Sequence, residues 1–224
     1  MKILLVSDSE VSELWENWTD ASAARLAAVD LILSAGDLHP AYLEFIETMT
    51  NVPLVYVRGN HDSLYEEEPP EGCICAEDEV VVVNIPGERS VRIAGLGGSM
   101  RYREGTNMYT EGEMKQRVRH LGYRIRRVHR IEGLKAAFRE QANEPVASRR
   151  IDILLTHAPC KGFGDMEDLP HQGFDCFNGL LEKEHPLVHC HGHVHAEYGN
   201  FTREREHPSG TRIINGSGMY IFEM

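Results

Sequence analysis

LVYVRGNHD, residues 54–62, is an apolar run that ends abruptly in a polar cluster. Leu54 to Val57 are bulky apolar residues with no polar alternation, the pattern of a strand buried on both faces. Gly59 stands where a chain leaving a strand must turn sharply, and Asn60, His61 and Asp62 crowd into the turn that follows. The same context recurs four times. ILLVSDSE (3–10) delivers Asp8 and Glu10, and LILSAGDLH (31–39) delivers Asp37 and His39 behind Gly36. IDILLTHAP (151–159) delivers His157, and LVHCHGHVH (187–195) delivers His191, His193 and His195 around Gly192. In open α/β sheets, ligands bind outside the carboxyl ends of the strands. Five strand ends on one rim would pool carboxylates, an amide and imidazoles. Imidazole suits Zn, Fe and Mn, while carboxylate and amide oxygens suit harder cations, so this is the composition of a metal site.

Each residue alone has an ordinary explanation. A strand-end Asp is more often a turn or cap residue, and His185 and His189 read as packing or surface histidines. His120, His129 and His207 are expected at the surface. Separate structural needs do not explain five such clusters, each at a strand end.

Outward from these strands, apolar runs at 80–85, 91–96, 212–215 and 219–222 complete the β-rich content. Helices are expected at about 12–28, 40–50 and 174–184. The alternation predicts an α/β layered fold in a single domain spanning 1–224. Residues 111 to about 143 also read as helical. Thr110 and Glu113 have capping-box spacing, and Gly122 and Gly133 are expected to split the segment into shorter helices. Because residues 115–139 hold nine Lys/Arg and one acid, the region 100–150 reads as a basic helical insertion between two halves of the sheet core.

The 224 residues carry 35 acidic against 23 basic side chains, a net charge of −12. That balance argues against a general nucleic-acid coat. Five apolar residues near the N-terminus are too few for a signal core, and no run approaches the ~18 needed to span a bilayer. Five cysteines without a CxxC pair read as free thiols. The expectation is a cytoplasmic chain with no membrane partner.

The ordered set Asp8, Gly36-Asp37, Gly59-Asn60-His61-Asp62, His157 and Gly192-His193-Val194-His195 resembles the calcineurin-like metallophosphoesterase superfamily, in the form of a small bacterial-type phosphoesterase. The resemblance runs from Asp8 to His195 and leaves the insertion outside it. It implies a four-layer α/β/β/α sandwich of two mixed sheets flanked by helices. It also implies two divalent metal ions, Mn, Fe or Zn with Mg as a further option. Asp37 would bridge them. Asn60, His157 and His193 would complete one site, and Asp8 and His195 would serve the other. One departure stands out: the family's DxH is here Asp8-Ser9-Glu10. Glu10 either ligates, favouring harder ions, or leaves the first site weak.

The implied reaction is in-line hydrolysis of a phosphomonoester or phosphodiester by a metal-bound hydroxide. His61 would protonate the leaving group, and Asp62 would orient His61; alternatively, His61 makes a supporting hydrogen bond to a metal ligand. Arg101 and Arg103, beside a glycine-rich turn, are candidate phosphate contacts. His171 either belongs to a loop capping the next helix or reaches back to the metal rim. The basic run is a solvated helix face paired with acids, a lid or rim that attracts a small phosphorylated substrate, or a nucleic-acid platform, the last having only Tyr123 and Phe138 interleaved for base stacking. Two other functions compete: a nuclease on the same scaffold, and a binding module that has lost the chemistry.

Overall fold

The computed structural model describes residues 1–87, 89–138, 151–198 and 201–224. In chain order the strands are β1 (Lys2–Ser7), β2 (Leu31–Ser34), β3 (Leu54–Tyr56), β4 (Ile74–Cys75), β5 (Val80–Val83), β6 (Val91–Leu96), β7 (Ser99–Met100) and β8 (Met108–Tyr109). They continue as β9 (Ile153–Thr156), β10 (Val188–His191), β11 (Glu204–Glu206), β12 (Arg212–Asn215) and β13 (Gly218–Glu223). The helices are α1 (Asp20–Leu26), α2 (Pro40–Thr50), α3 (Glu111–Phe138) and α4 (Asp175–Glu184).

Two mixed sheets form the centre. One has the order β13-β1-β2-β3-β4, the other β11-β12-β10-β9-β6-β5. In the first, β1 to β4 run parallel and β13 is antiparallel. In the second, β12, β10, β9 and β6 run parallel between antiparallel edges. Alternate side chains of a strand point to opposite faces, and β1 shows how the layers arise. Ile3 and Leu5 enter the core between the sheets with Leu33, Val55, Ile93 and Leu155. Leu4 and Val6 turn outward to meet Tyr42, Leu43 and Ile46 of α2. On the opposite side, Leu96 and Leu154 meet Met114, Leu121 and Ile125 of α3 and Phe177 and Leu181 of α4. The result is the four-layer sandwich.

Three expectations change. The helix expected at 12–28 becomes a short 3-10 turn, Ser12–Leu14, and then α1, whose Thr19 accepts a hydrogen bond from the Ser22 amide. Trp15 and Trp18 pack edge-on against Phe45, which draws the intervening chain onto α2. Second, α3 runs unbroken through Gly122 and Gly133. Each glycine costs about 1 kcal/mol against alanine, whereas burying Met114, Leu121 and Ile125 contributes about 1.5–3 kcal/mol apiece. The capping box closes as expected: Thr110 donates to Glu113 and receives from its amide. The expected extension to 143 lies outside the described residues. Third, the segment after β6 does not separate two halves of the core. It is the crossover joining β6 to β9, neighbouring parallel strands of one sheet, and α3 covers that sheet.

No helix among the described residues is long and apolar enough to cross a membrane. His207, expected at the surface, is buried against the Phe163 ring, with Nδ1 bonded to Ser209.

Candidate metal centre

The sandwich aligns the ends of β1, β2, β3, β9 and β10 on one rim. The turns leaving them are tight. Asp8, Asp37 and His193 adopt left-handed backbone with φ of 66°, 57° and 68°, a conformation that strains residues with a Cβ and clusters at functional sites. Two glycines permit the crowding. A Cβ at Gly59 would fall 2.0 Å from Asp37 Oδ1, and one at Gly192 would fall 1.8 Å from Ser7 Oγ and 2.9 Å from Asp8 Oδ2.

At the centre, ligand atoms of Asp37, His157 and His193 all lie within 4.8 Å of one another. His157 is fully buried. Its Nδ1 donates to the Ala35 carbonyl at 2.7 Å, which fixes the ring and aims Nε2 at the cluster. Nε2 lies 3.0 Å from Asn60 Oδ1 and 3.4 Å from Asp37 Oδ2. With Nδ1 protonated, Nε2 of the neutral ring and both oxygens are lone-pair donors, so only a cation satisfies all three. A proton on His157 is one such cation. Burial disfavours it, but the Asp37 charge and hydrogen bond outweigh burial and push the His157 pKa up to about 9. Asp37 responds in the opposite direction. Burial resists its ionisation, yet His157 and the His61 amide, 2.8 Å from Oδ1, hold its carboxyl well below the usual range.

His193 is held at both ends of its residue. Its backbone amide donates to Asp8 Oδ1 at 2.8 Å, and its Nε2 donates to the Pro170 carbonyl at 2.7 Å, leaving Nδ1 as the lone-pair nitrogen. Burial and the neighbouring His157 charge push the His193 pKa down to about 3. Asp8 Oδ2 is buried without a hydrogen-bond partner, and burial raises its pKa. An unpartnered buried carboxylate oxygen is costly. With the acceptor-only cluster beside it, it makes this donor set one that fits a divalent cation.

Other expected residues lie around this cluster, and His195 is near enough to Asp8 to act on it electrostatically. Glu10 is exposed and accepts from the His39 amide at 3.3 Å, and it is not among the carboxylates gathered with His157 and His193. The His195 ring stacks on Tyr198 with centroids 5.0 Å apart. Asp62 Oδ2 accepts from the amides of Gly59, at 2.6 Å, and Asp37, at 2.8 Å, and no hydrogen bond links Asp62 to the His61 side chain among the described residues. Asp62 therefore braces two of the metal-rim turns, while the His61 residue stays exposed. Arg101 is committed to Glu113 and the Met108 carbonyl, and Arg103 stacks over Tyr102. His171 is brought close, its ring 5.4 Å from that of His193 and its Nδ1 2.6 Å from Asp168 Oδ2. The carbonyls of Ala35 and Pro170 and the ring of Tyr198 carried no signal in the sequence. A backbone carbonyl has no residue identity, and Tyr198 joins the rim through its ring contacts with His195 and His171. Among the described residues, no cysteine joins a cluster of potential ligands.

A family model described as calcineurin-like phosphoesterase matches residues 1–197. Among solved structures, one aligns with a TM-score of 0.61 at 15% identity, covering 99% of this chain and 94% of the other. TT1561 of Thermus thermophilus aligns with a TM-score of 0.54 at 16% identity, covering 97% and 89%. Identities this low show a shared fold. No curated protein sequence matches the chain.

Proposed function

Because the chain belongs to the calcineurin-like phosphoesterase family, we propose that it hydrolyses phosphate esters of a small molecule at the strand-end rim, with divalent metal as cofactor. One observation carries the reading: ligand atoms of Asp37, His157 and His193 gather within 4.8 Å of one another, with Asn60 Oδ1 3.0 Å from His157 Nε2, beside the unpartnered Asp8 oxygen. Asp37, His157 and His193 would hold one ion with Asn60. Asp8 would serve a second, with Glu10 joining only if it leaves the His39 amide.

When bound, a divalent cation supplies Lewis acidity toward a phosphoryl oxygen and toward water. The chain's residues do the rest. Asp62 and Gly59 keep the Asp37 and Asn60 turns in register. His61, exposed at the rim with its amide held by Asp37, would give a proton to the departing alkoxide. The hydrogen bond between His171 Nδ1 and Asp168 fixes the ring and leaves Nε2 as the nitrogen able to exchange a proton or meet a phosphate oxygen.

Nucleic acid is a poor fit as substrate, because α3 spends Arg117 on Glu77 and Asp78, and Arg124 on Glu79. The exposure of Glu10 and its bond to the His39 amide favour a second reading, a module that binds metal without turning over an ester. Elemental analysis, thermal unfolding with and without Mn²⁺, and hydrolysis of p-nitrophenyl phosphate and its bis ester test both. The expected result is about one or two ions per chain, a higher melting temperature with Mn²⁺, and turnover that Asp37→Asn abolishes together with the Mn²⁺ shift. Metal uptake without hydrolysis of either ester would leave the binding module. No uptake and no Mn²⁺ shift would remove the metal reading.

A further inference from the structure

Beside the rim lies a cavity of about 370 Å³ that hydrolysis of the phosphate group leaves without a role. Its size falls in the range of small-molecule sites. One wall comes from the loop after His157 and includes Met166. The other follows the GHVH turn and includes Tyr198, Phe201, Thr202 and Arg205.

A chain of rings connects the cavity to the ligand set. The His193 ring lies 5.4 Å from that of His171, His171 lies 4.9 Å from Tyr198 in an edge-on contact, and Tyr198 stacks on His195 with 17° between planes. Tyr198 nevertheless stays 45% exposed, so a large aromatic surface is left uncovered at the mouth. Phe201 lies under the Arg203 guanidinium at 4.7 Å, which fixes the second ring.

Most polar groups in the wall are already used. Asp165 accepts from the amides of Gly162 and Gly173, Asp168 holds His171, and Asn215 binds the Val194 carbonyl and the Ser217 amide. Arg205 is exposed and has no ion-pair partner among the described residues. What remains is two aromatic rings, a thioether and the Arg205 guanidinium donor, with the Thr202 hydroxyl and the Glu167 carboxylate beside them. That combination suits a planar ring with acceptor atoms on its edge: the ring stacks, and the guanidinium meets the edge.

We infer that this cavity is the subsite for the alcohol part of the ester and selects a planar aromatic or heteroaromatic group over an alkyl one. The inference rests on the phosphoesterase reading for the position of the phosphate. Nucleoside monophosphates and aryl phosphates share this chemistry.

The test compares adenosine 5′-monophosphate, phenyl phosphate and glycerol 2-phosphate as substrates of wild type, Tyr198→Ala, Phe201→Ala and Arg205→Gln. Saturation-transfer NMR with adenosine, which has no phosphate, runs alongside. Both aromatic variants are expected to raise KM about tenfold for the two ring-bearing esters and to abolish transfer to adenosine, and Phe201→Ala, which touches no rim histidine, is expected to leave glycerol 2-phosphate unchanged. A rise in KM for the nucleotide alone in Arg205→Gln would assign the heteroaromatic edge; no change on either ring ester would assign the ring face alone. Equal losses on all three esters would overturn the subsite. So would a wild type without preference among them that shows no transfer. If wild type hydrolyses none of them yet shows transfer that Phe201→Ala abolishes, the phosphoesterase reading fails and the ring subsite stands.

Discussion

Asp62 accepts from the amides of Gly59 and Asp37 through one oxygen, and it is 5% exposed. Burial and the facing Asp37 charge raise its pKa to about 6. Removing that acceptor strands two amides, at about 1–3 kcal/mol for a buried group left unpaired. Asp62→Ala is therefore expected to lower stability by roughly 2–4 kcal/mol in urea unfolding, whereas His61→Ala, at an exposed position, leaves stability within about 0.5 kcal/mol. Equal, small effects would return Asp62 to the orienting role. His61→Ala is also expected to keep metal content and to lose more rate on poor leaving groups than on activated ones. The same loss on both would exclude proton donation. The identities of these residues were legible in the sequence, but their bonds were not. Asp62 precedes no helix longer than a 3-10 turn, and its acceptor role toward residue 37 depends on two strands lying side by side.

At the scale of elements, α3 shows where local propensity yields to packing. Gly122 and Gly133 predict breaks, yet three buried side chains and a capping box carry the helix across both. Neither glycine is required by geometry. A Cβ at Gly122 would meet Lys183 Nζ at 3.9 Å, ordinary contact, and one at Gly133 would meet nothing within 4 Å. Gly122→Ala and Gly133→Ala are expected to stabilise the protein by about 0.5–1 kcal/mol each, read as a higher urea midpoint at unchanged slope. A lower midpoint for Gly122→Ala would mean that α4 needs the close approach. The strands behave differently. β6 and β12 occupy the boundaries that their apolar runs predict, because a strand buried in a sheet core leaves a continuous signal. The short edge pieces β4, β7, β8 and β11 were missed. Two or three residues leave no periodicity to read, and their pairing is set by the neighbouring strand.

At the scale of the molecule, β10 buries two neutral imidazoles in the second sheet. His189 is fully enclosed. Its Nε2 meets Thr156 Oγ1 at 2.8 Å and its Nδ1 has no partner, so burial lowers its pKa well below the ordinary value of 6.5. Burial likewise lowers His191 to about 4. The unfolded chain takes up these protons below about pH 6.5 while the folded chain does not. Stability is thus held above that pH and falls as pH drops from about 6.5 toward 4, by up to about 1.4 kcal/mol per pH unit for each histidine. His189→Leu is expected to make this slope shallower by about one proton, measured by urea unfolding from pH 5 to 7. An unchanged slope would place the proton uptake elsewhere. By itself, the sequence determined the layered α/β class, the main strands and the residue types gathered at their ends. Those follow from side-chain chemistry and short-range period, which a linear chain displays. Only the tertiary structure decided that Asp62 braces two turns, that Glu10 turns to His39, and that Tyr198 and Phe201 wall a cavity. Each depends on groups distant in sequence being brought within a few ångströms, and the packing of the two sheets sets those distances.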